Sequence, residues 1–210
     1  MTKLLWGEPG TRFYESGCDQ GVLYPSAGPG VAWPGLISVQ EDVDGGELSS
    51  FYYDGQKYAD VVAGENFRGS IETFAEPAEF AVCDGLRQLA SGLFAAQQPR
   101  ESFGLSYRTM IGNDVDDEYG YKIHLVWDAL AAPTSRSRRT RSDSTEPEIL
   151  QWNISTVPPS ASTYRPTAHF VIDSRGLSLP VLTSLENELY GTVSTAPRLP
   201  TQAEIIDLLT

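Results

Sequence analysis

Apolar and polar residues alternate most clearly between Phe103 and Trp127. In the first arm Phe103, Leu105, Tyr107 and Ile111 hold the odd positions, with Ser102, Ser106 and Arg108 on the even ones. In the second, Tyr119, Tyr121, Ile123, Leu125 and Trp127 alternate with Lys122, His124 and Asp128. A period of two sends successive side chains to opposite faces, so each arm predicts a half-buried strand. The short polar connection GNDVDDEYG makes the two arms antiparallel neighbours. Arms of about nine residues reach roughly 30 Å, long enough for the tip to project beyond a core.

The same pattern recurs along the chain. Arg12–Tyr24 reads as strand, glycine-bounded turn, strand, and Pro29 and Pro34 bar a helix in the segment that follows. Leu36–Val43 alternates Ile37 and Val39 with Ser38, Gln40 and Asp42. In Ser49–Val62 the pair Asp54-Gly55 separates two aromatic-rich runs, a hairpin signal because both residues tolerate positive φ. Phe67–Phe74, Leu150–Thr156 and Thr167–Asp173 predict further strands, while Pro77–Pro99 reads as a connection with a short helix or strand. The period then changes. Leu179, Leu182, Leu185 and Leu189 recur at helical spacing, with Gly191 where a C-cap falls. Thr201 followed by Glu204 forms a capping box that opens a short terminal helix. The chain is therefore mainly β, with one clear helix and a short one after it.

Length and composition narrow the class. At 210 residues the chain is large enough for one sizeable domain, and its 40% hydrophobic content fits an ordinary core. The organisation expected is a single unit over 1–210. It comprises an extended N-terminal segment (about 1–35), a mobile polar loop (about 132–148) and a C-terminal helical arm (about 178–210). A formal net charge of −13 argues against general nucleic-acid binding, which needs cations, yet suits a surface that holds DNA off. Cys18 and Cys83 are the only cysteines and read as two free thiols of a reducing compartment, a single bridge between them being the alternative. The opening MTKLLWGEPG is too short in apolar residues for a signal peptide, and no run approaches a membrane span.

Candidate chemistry centres on Asp114, Asp116, Asp117 and Glu118. Read as an EF-hand from Asp114, the loop has Tyr119 where glycine is needed and Leu125 where a bidentate Glu is needed. As a general acid–base cluster it lacks the burial that sets two carboxyls apart. A solvated hairpin tip is the plain reading. His124 and His169, the only histidines, fall in the polar sets of their strands, and the cysteines lack paired zinc-ligand spacing. They read as ordinary surface or interface residues. No G-x-S-x-G elbow or phosphate loop appears, and no catalysis, metal or cofactor is expected. Arg136, Arg138, Arg139 and Arg141 form a basic run on an acidic chain. The readings open for it are a solvated loop, a contact with an acidic surface of another copy, or, third, DNA.

In order along the chain, WGEPGTRFYESGCDQGVLYP, YYDGQKY, SIETFAEPAEFAVCDG, FGLSYRTMIGNDVDDEYGYKIHLVWDALAAP, FVIDS, LENELYGT and RLPTQAE resemble the major tail proteins of long-tailed, non-contractile bacteriophages. The central hairpin block is the most specific part. The segment after Ala132 departs from the pattern, since relatives carry a less basic loop there. The resemblance implies an antiparallel β-sandwich or barrel of the tail-tube type with a flanking helix. It implies hexameric rings stacked into a hollow tube through which DNA is ejected without specific binding. The implied partners are further copies, tape-measure, tail-terminator and distal tail proteins, with no membrane, in a virion assembled in the host cytoplasm. On that basis Asp114, Asp116, Asp117 and Glu118 are expected at a ring-to-ring or lumenal surface, and Arg136, Arg138, Arg139 and Arg141 between subunits. The alternative class is a β-rich virion binding module, receptor-binding or capsid-decorating; a metal-dependent hydrolase comes third.

Overall fold

The computed structural model describes residues 4, 6–138, 140, 147–161 and 164–210. In chain order the strands are β1 (Tyr14–Pro25), β2 (Val31–Ala32), β3 (Leu36–Gly45), β4 (Leu48–Tyr53), β5 (Gln56–Val62) and β6 (Glu65–Thr73). They continue with β7 (Arg87–Ala90), β8 (Leu93–Ala95), β9 (Phe103–Gly112), β10 (Gly120–Pro133), β11 (Leu150–Thr156) and β12 (His169–Asp173). Two helices follow, α1 (Leu179–Tyr190) and α2 (Gln202–Leu209). Eight strands form one antiparallel sheet in the order β2-β1-β9-β10-β11-β6-β3, with β12 beside β10. β4–β5 and β7–β8 are separate two-stranded hairpins.

The sheet curls until its two ends approach. The Trp33 amide donates to the Gly21 carbonyl at 2.8 Å, and a Cβ on Gly21 would stand 2.6 Å from the Leu36 side chain. Glycine at 21 is therefore what lets β1 pass so close to the start of β3. The concave side encloses Leu23, Trp33, Phe80, Leu105, Tyr107 and Trp152 with their neighbours. Phe80 lies in a 3-10 turn over Ala78–Ala81 and fills the centre, its ring 4.9 Å from those of Trp33 and Trp152. The convex side carries Val22, Tyr24, Ile123, Leu125 and Ile172, covered by Leu182, Leu185 and Leu189 of α1 and Ile205 of α2. Each fully buried large side chain stabilises by about 1.5–3 kcal/mol relative to exposure.

β9 and β10 sit at the centre of the sheet, and Phe103–Tyr107 and Ile123–Val126 are covered on both faces, not half-buried as their alternation suggests. Tyr107 pairs with His124, Leu105 with Val126 and Ser106 with Leu125. Opposed residues thus have opposite parity, so the apolar set of β9 and the apolar set of β10 point to opposite faces. The first set fills the concave core, and the second meets the helices. The small polar members accommodate this: Ser106 is buried and its hydroxyl lies 3.1 Å from that of Tyr24, which donates to the Leu189 carbonyl.

β10 changes partner midway. Lys122–Val126 pair with β12, whereas Ala129–Pro133 pair with β11. Between them a bulge against β9 coincides with Asp128 at φ +50. A bulge with a positive φ bends a strand and breaks its ladder, which frees β10 to leave one neighbour for another. The first glycine-bounded turn predicted within Arg12–Tyr24 is likewise a bulged part of one strand. β1 runs unbroken from Tyr14 to Pro25, with register shifts around Asp19 and Gln20 at φ 48. That strand places part of the predicted N-terminal extension inside the sheet.

Candidate functional site

The β4–β5 hairpin stands apart from both cores. Its turn residues Asp54 (φ 50) and Gly55 (φ 74) have the paired positive φ of a type I′ turn, as the sequence predicts. Leu48, Phe51, Tyr52, Tyr53, Tyr58, Val61 and Val62 are all at least half exposed, Tyr58 reaching 77%. No third strand joins it among the described residues. An isolated two-stranded hairpin is marginal in water, and seven large apolar side chains left exposed on one such hairpin point to an interaction site. The chain leaves β3 and re-enters β6, so the hairpin extends the edge pair of the sheet.

The acidic turn is more ordered than a solvated tip. Asn113 Oδ1 accepts from the amides of Val115 and Asp116, and Asp116 Oδ1 accepts from the amide of Glu118. Asp114 Oδ1 accepts from the amides of Gly10 and Arg12, which fastens the turn to the N-terminal segment. Asp114, Asp116, Asp117 and Glu118 are all exposed and make no shared ligand cage.

The basic loop divides. Arg136 folds back onto its own chain, its Nη2 2.9 Å from Asp84 Oδ2 and its guanidinium 5.0 Å above the Trp152 ring. Arg138 pairs with Glu148 at 2.5 Å and is largely exposed. Arg139 and Arg141 lie outside the described residues. Asp84 is the hub here: its Oδ1 also accepts from Trp152 Nε1 at 2.7 Å and from Arg100 Nη1 at 3.3 Å.

The histidines are where the structure departs furthest from the pattern. His124 is only 5% exposed, and β10 turns it into the concave side beneath Tyr107, with which it stacks at 4.6 Å. β12 brings His169 alongside, so that His124 Nδ1 and His169 Nε2 stand 3.2 Å apart. Glu41 reaches across from β3, placing Oε1 3.2 Å from His124 Nδ1 and 2.6 Å from the Tyr107 hydroxyl that donates to it. The hydrogen bond with His124 holds the Glu41 carboxyl down at about 2, and burial pushes His169 down to about 4. Glu41, His124 and His169 are the one set of metal-ligating side chains found together among the described residues. The sequence signal for Glu41 is weak, because QED on an alternating strand reads as a solvated face. Only curling of the sheet brings β3 over β10.

Cys83 is buried and Cys18 partly so, both unbridged; burial raises their thiols to about 12 and about 11. Among the described residues no helix is long and apolar enough to cross a membrane.

No protein-family model and no curated protein matches the chain. Several solved structures are similar. The sheath–tube complex of an extracellular contractile injection system in its extended state is 12% identical, with TM-score 0.42 over 80% of this chain and 92% of that one. The cap that terminates the tube of the anti-feeding prophage is 10% identical, with TM-score 0.43 over 83% and 96%. A sheath/tube terminator of the extracellular system is 12% identical, with TM-score 0.41 over 82% and 99%. Two of the three are parts of an extracellular contractile injection system, whereas the sequence resemblance is to non-contractile tails. At this level of likeness the functional reading rests on the chain's own surfaces.

Proposed function

We propose that this chain is a structural subunit of a phage-type tail tube. It assembles with copies of itself into stacked hexameric rings around a lumen that passes DNA, and it carries out no catalysis. The observation that carries this reading is the β4–β5 hairpin. Its aromatic side chains are exposed and are covered by neither core. A neighbouring copy supplies that cover and also shields the sheet's outer strands. The motif order along the chain supports the tail-tube reading in particular. Net charge supports the lumen, since an acidic wall repels a passing polyanion. Asp114, Asp116, Asp117 and Glu118 lie at the lumen or against the next ring in this assembly. Its setting is the virion, built in the host cytoplasm with tape-measure, terminator and distal tail proteins.

Electron microscopy of the purified chain, alone and with a tail-initiation complex, tests this. Six-fold rings or tubes are expected for the unaltered chain. A Tyr52→Ser/Tyr58→Ser variant should stay folded by circular dichroism and lose them. Monomers under every condition would overturn the reading. Binding of a capsid or glycan by that monomer through the same hairpin would support the virion binding module instead.

A further inference from the structure

We infer that Glu41, His124 and His169 bind a single divalent transition-metal ion of the zinc class, which ties β3 to β10 and β12 across the mouth of the curled sheet. Donor spacing is the first support. Tetrahedral zinc with bonds of about 2.0–2.1 Å sets its ligand atoms about 3.3 Å apart. The Glu41 Oε1–His124 Nδ1 and His124 Nδ1–His169 Nε2 separations are both 3.2 Å. All three ligand atoms lie within 4.8 Å of one another. The Glu41–His169 side of the triangle is no longer than 4.8 Å, and a small turn of the Glu41 carboxylate about its hydrogen bond from Tyr107 shortens it.

Proton placement is the second support. Thr109 Oγ1 donates its one proton to Glu15 Oε1 at 2.5 Å. Towards His124 Nε2, 3.1 Å away, it can then only accept. His124 Nδ1 then faces Glu41 Oε1 and His169 Nε2, each 3.2 Å away, and a metal ion there takes the place of the proton that Nδ1 otherwise gives the carboxylate. The three donor atoms converge on one point, where a single cation can serve all of them. The Thr109–Glu15 relay is the outer partner that metal-bound histidines commonly use to fix tautomer and ring angle. Tyr107 fixes the carboxylate in the same way.

Ligand type and access give the ion its class. Two imidazoles and one carboxylate suit zinc, cobalt or nickel, while calcium and magnesium require more oxygens. An open cleft of about 370 Å³, lined by Glu41, Glu65, Asn66, Thr167 and His169, provides an entry path and room for a water as fourth ligand.

The test is titration of the full chain with zinc chloride against a chelating dye, and with cobalt chloride monitored by visible absorption. One equivalent should bind with a tetrahedral cobalt spectrum, and zinc should raise the melting temperature. The chain has only two histidines, so their imidazole nitrogen NMR signals report the ligands directly. Glu41→Gln and His169→Asn, which spare the deeply buried His124, should each weaken binding tenfold or more and remove the thermal shift. No uptake of either metal by the folded chain would overturn the inference and leave the centre a hydrogen-bonded cluster. Equal binding by wild type and His169→Asn would also overturn it, placing the ion on surface carboxylates.

Discussion

Asp84 holds its carboxylate between Trp152 Nε1, Arg100 and Arg136 while only 9% exposed. Removing one member of a buried charged set leaves the others desolvated and unpaired, which costs about 3–5 kcal/mol. Arg100 and Arg136 keep 21% and 29% of their side-chain exposure, so water compensates them in part. Asp84→Ala is therefore expected to cost about 3 kcal/mol, at the lower end of that range. Asp84→Asn, which keeps an acceptor for Trp152, should cost less. Urea denaturation of the two variants checks the order, and an unmoved midpoint for Asp84→Ala would remove Asp84 as the hub. The pairing also gives Arg136 an internal task, so an inter-subunit role for the basic run rests on Arg138 and its neighbours. Sequence hides this because Asp84 and Arg136 become partners only when the 3-10 turn is seated in the core.

Among the elements, α2 is the one whose start is most fully written in its residues. The Thr201 side chain accepts from the Glu204 amide, and Glu204 answers by accepting from the Thr201 amide at 2.7 Å. Arg198 joins from outside at 3.1 Å and, with the Thr201 amide next, holds the Glu204 carboxyl down at about 2 from an ordinary 4.5. A carboxyl depressed in the folded state contributes stability above its unfolded pKa and loses it as pH falls through the folded one. The start of α2 should accordingly loosen between about pH 4.5 and 2. Amide exchange in Gln202–Leu209, followed by NMR across that window, should accelerate in the wild type. Glu204→Gln should flatten the dependence, and a flat wild-type profile would refute the assignment. The strands differ in how openly they declare themselves. β11 and the β4–β5 turn follow directly from alternation and Asp-Gly. The bulges in β1 and β10 do not, because a bulge is a register error that only the partner strand reveals.

At the scale of the whole molecule, a charge of −13 on each copy opposes the self-assembly proposed for it. Screening shortens that repulsion, from a reach of about 30 Å at 0.01 M salt to about 8 Å at 0.15 M. If apolar contact drives ring formation, light scattering should show more assembly as sodium chloride rises over that range. Assembly that instead falls with salt would mean that opposite charges, such as Arg138 against a neighbour's acids, govern the interface. The sequence by itself determined the β-rich class, most strand positions, both helices with the Gly191 and Thr201 caps, the Asp54-Gly55 hairpin and the acidic balance. Each of those is local: alternation, helical spacing, turn chemistry and summed charge need only neighbours in the chain. The tertiary structure alone decided which face each apolar set covers, because register across the 113–119 turn sets the parity of paired residues. It alone turned His124 inward and laid Glu41 beside His169, since curling of the sheet joins strands that are remote in sequence. It alone left the β4–β5 aromatics uncovered, because burial is a property of the packed whole.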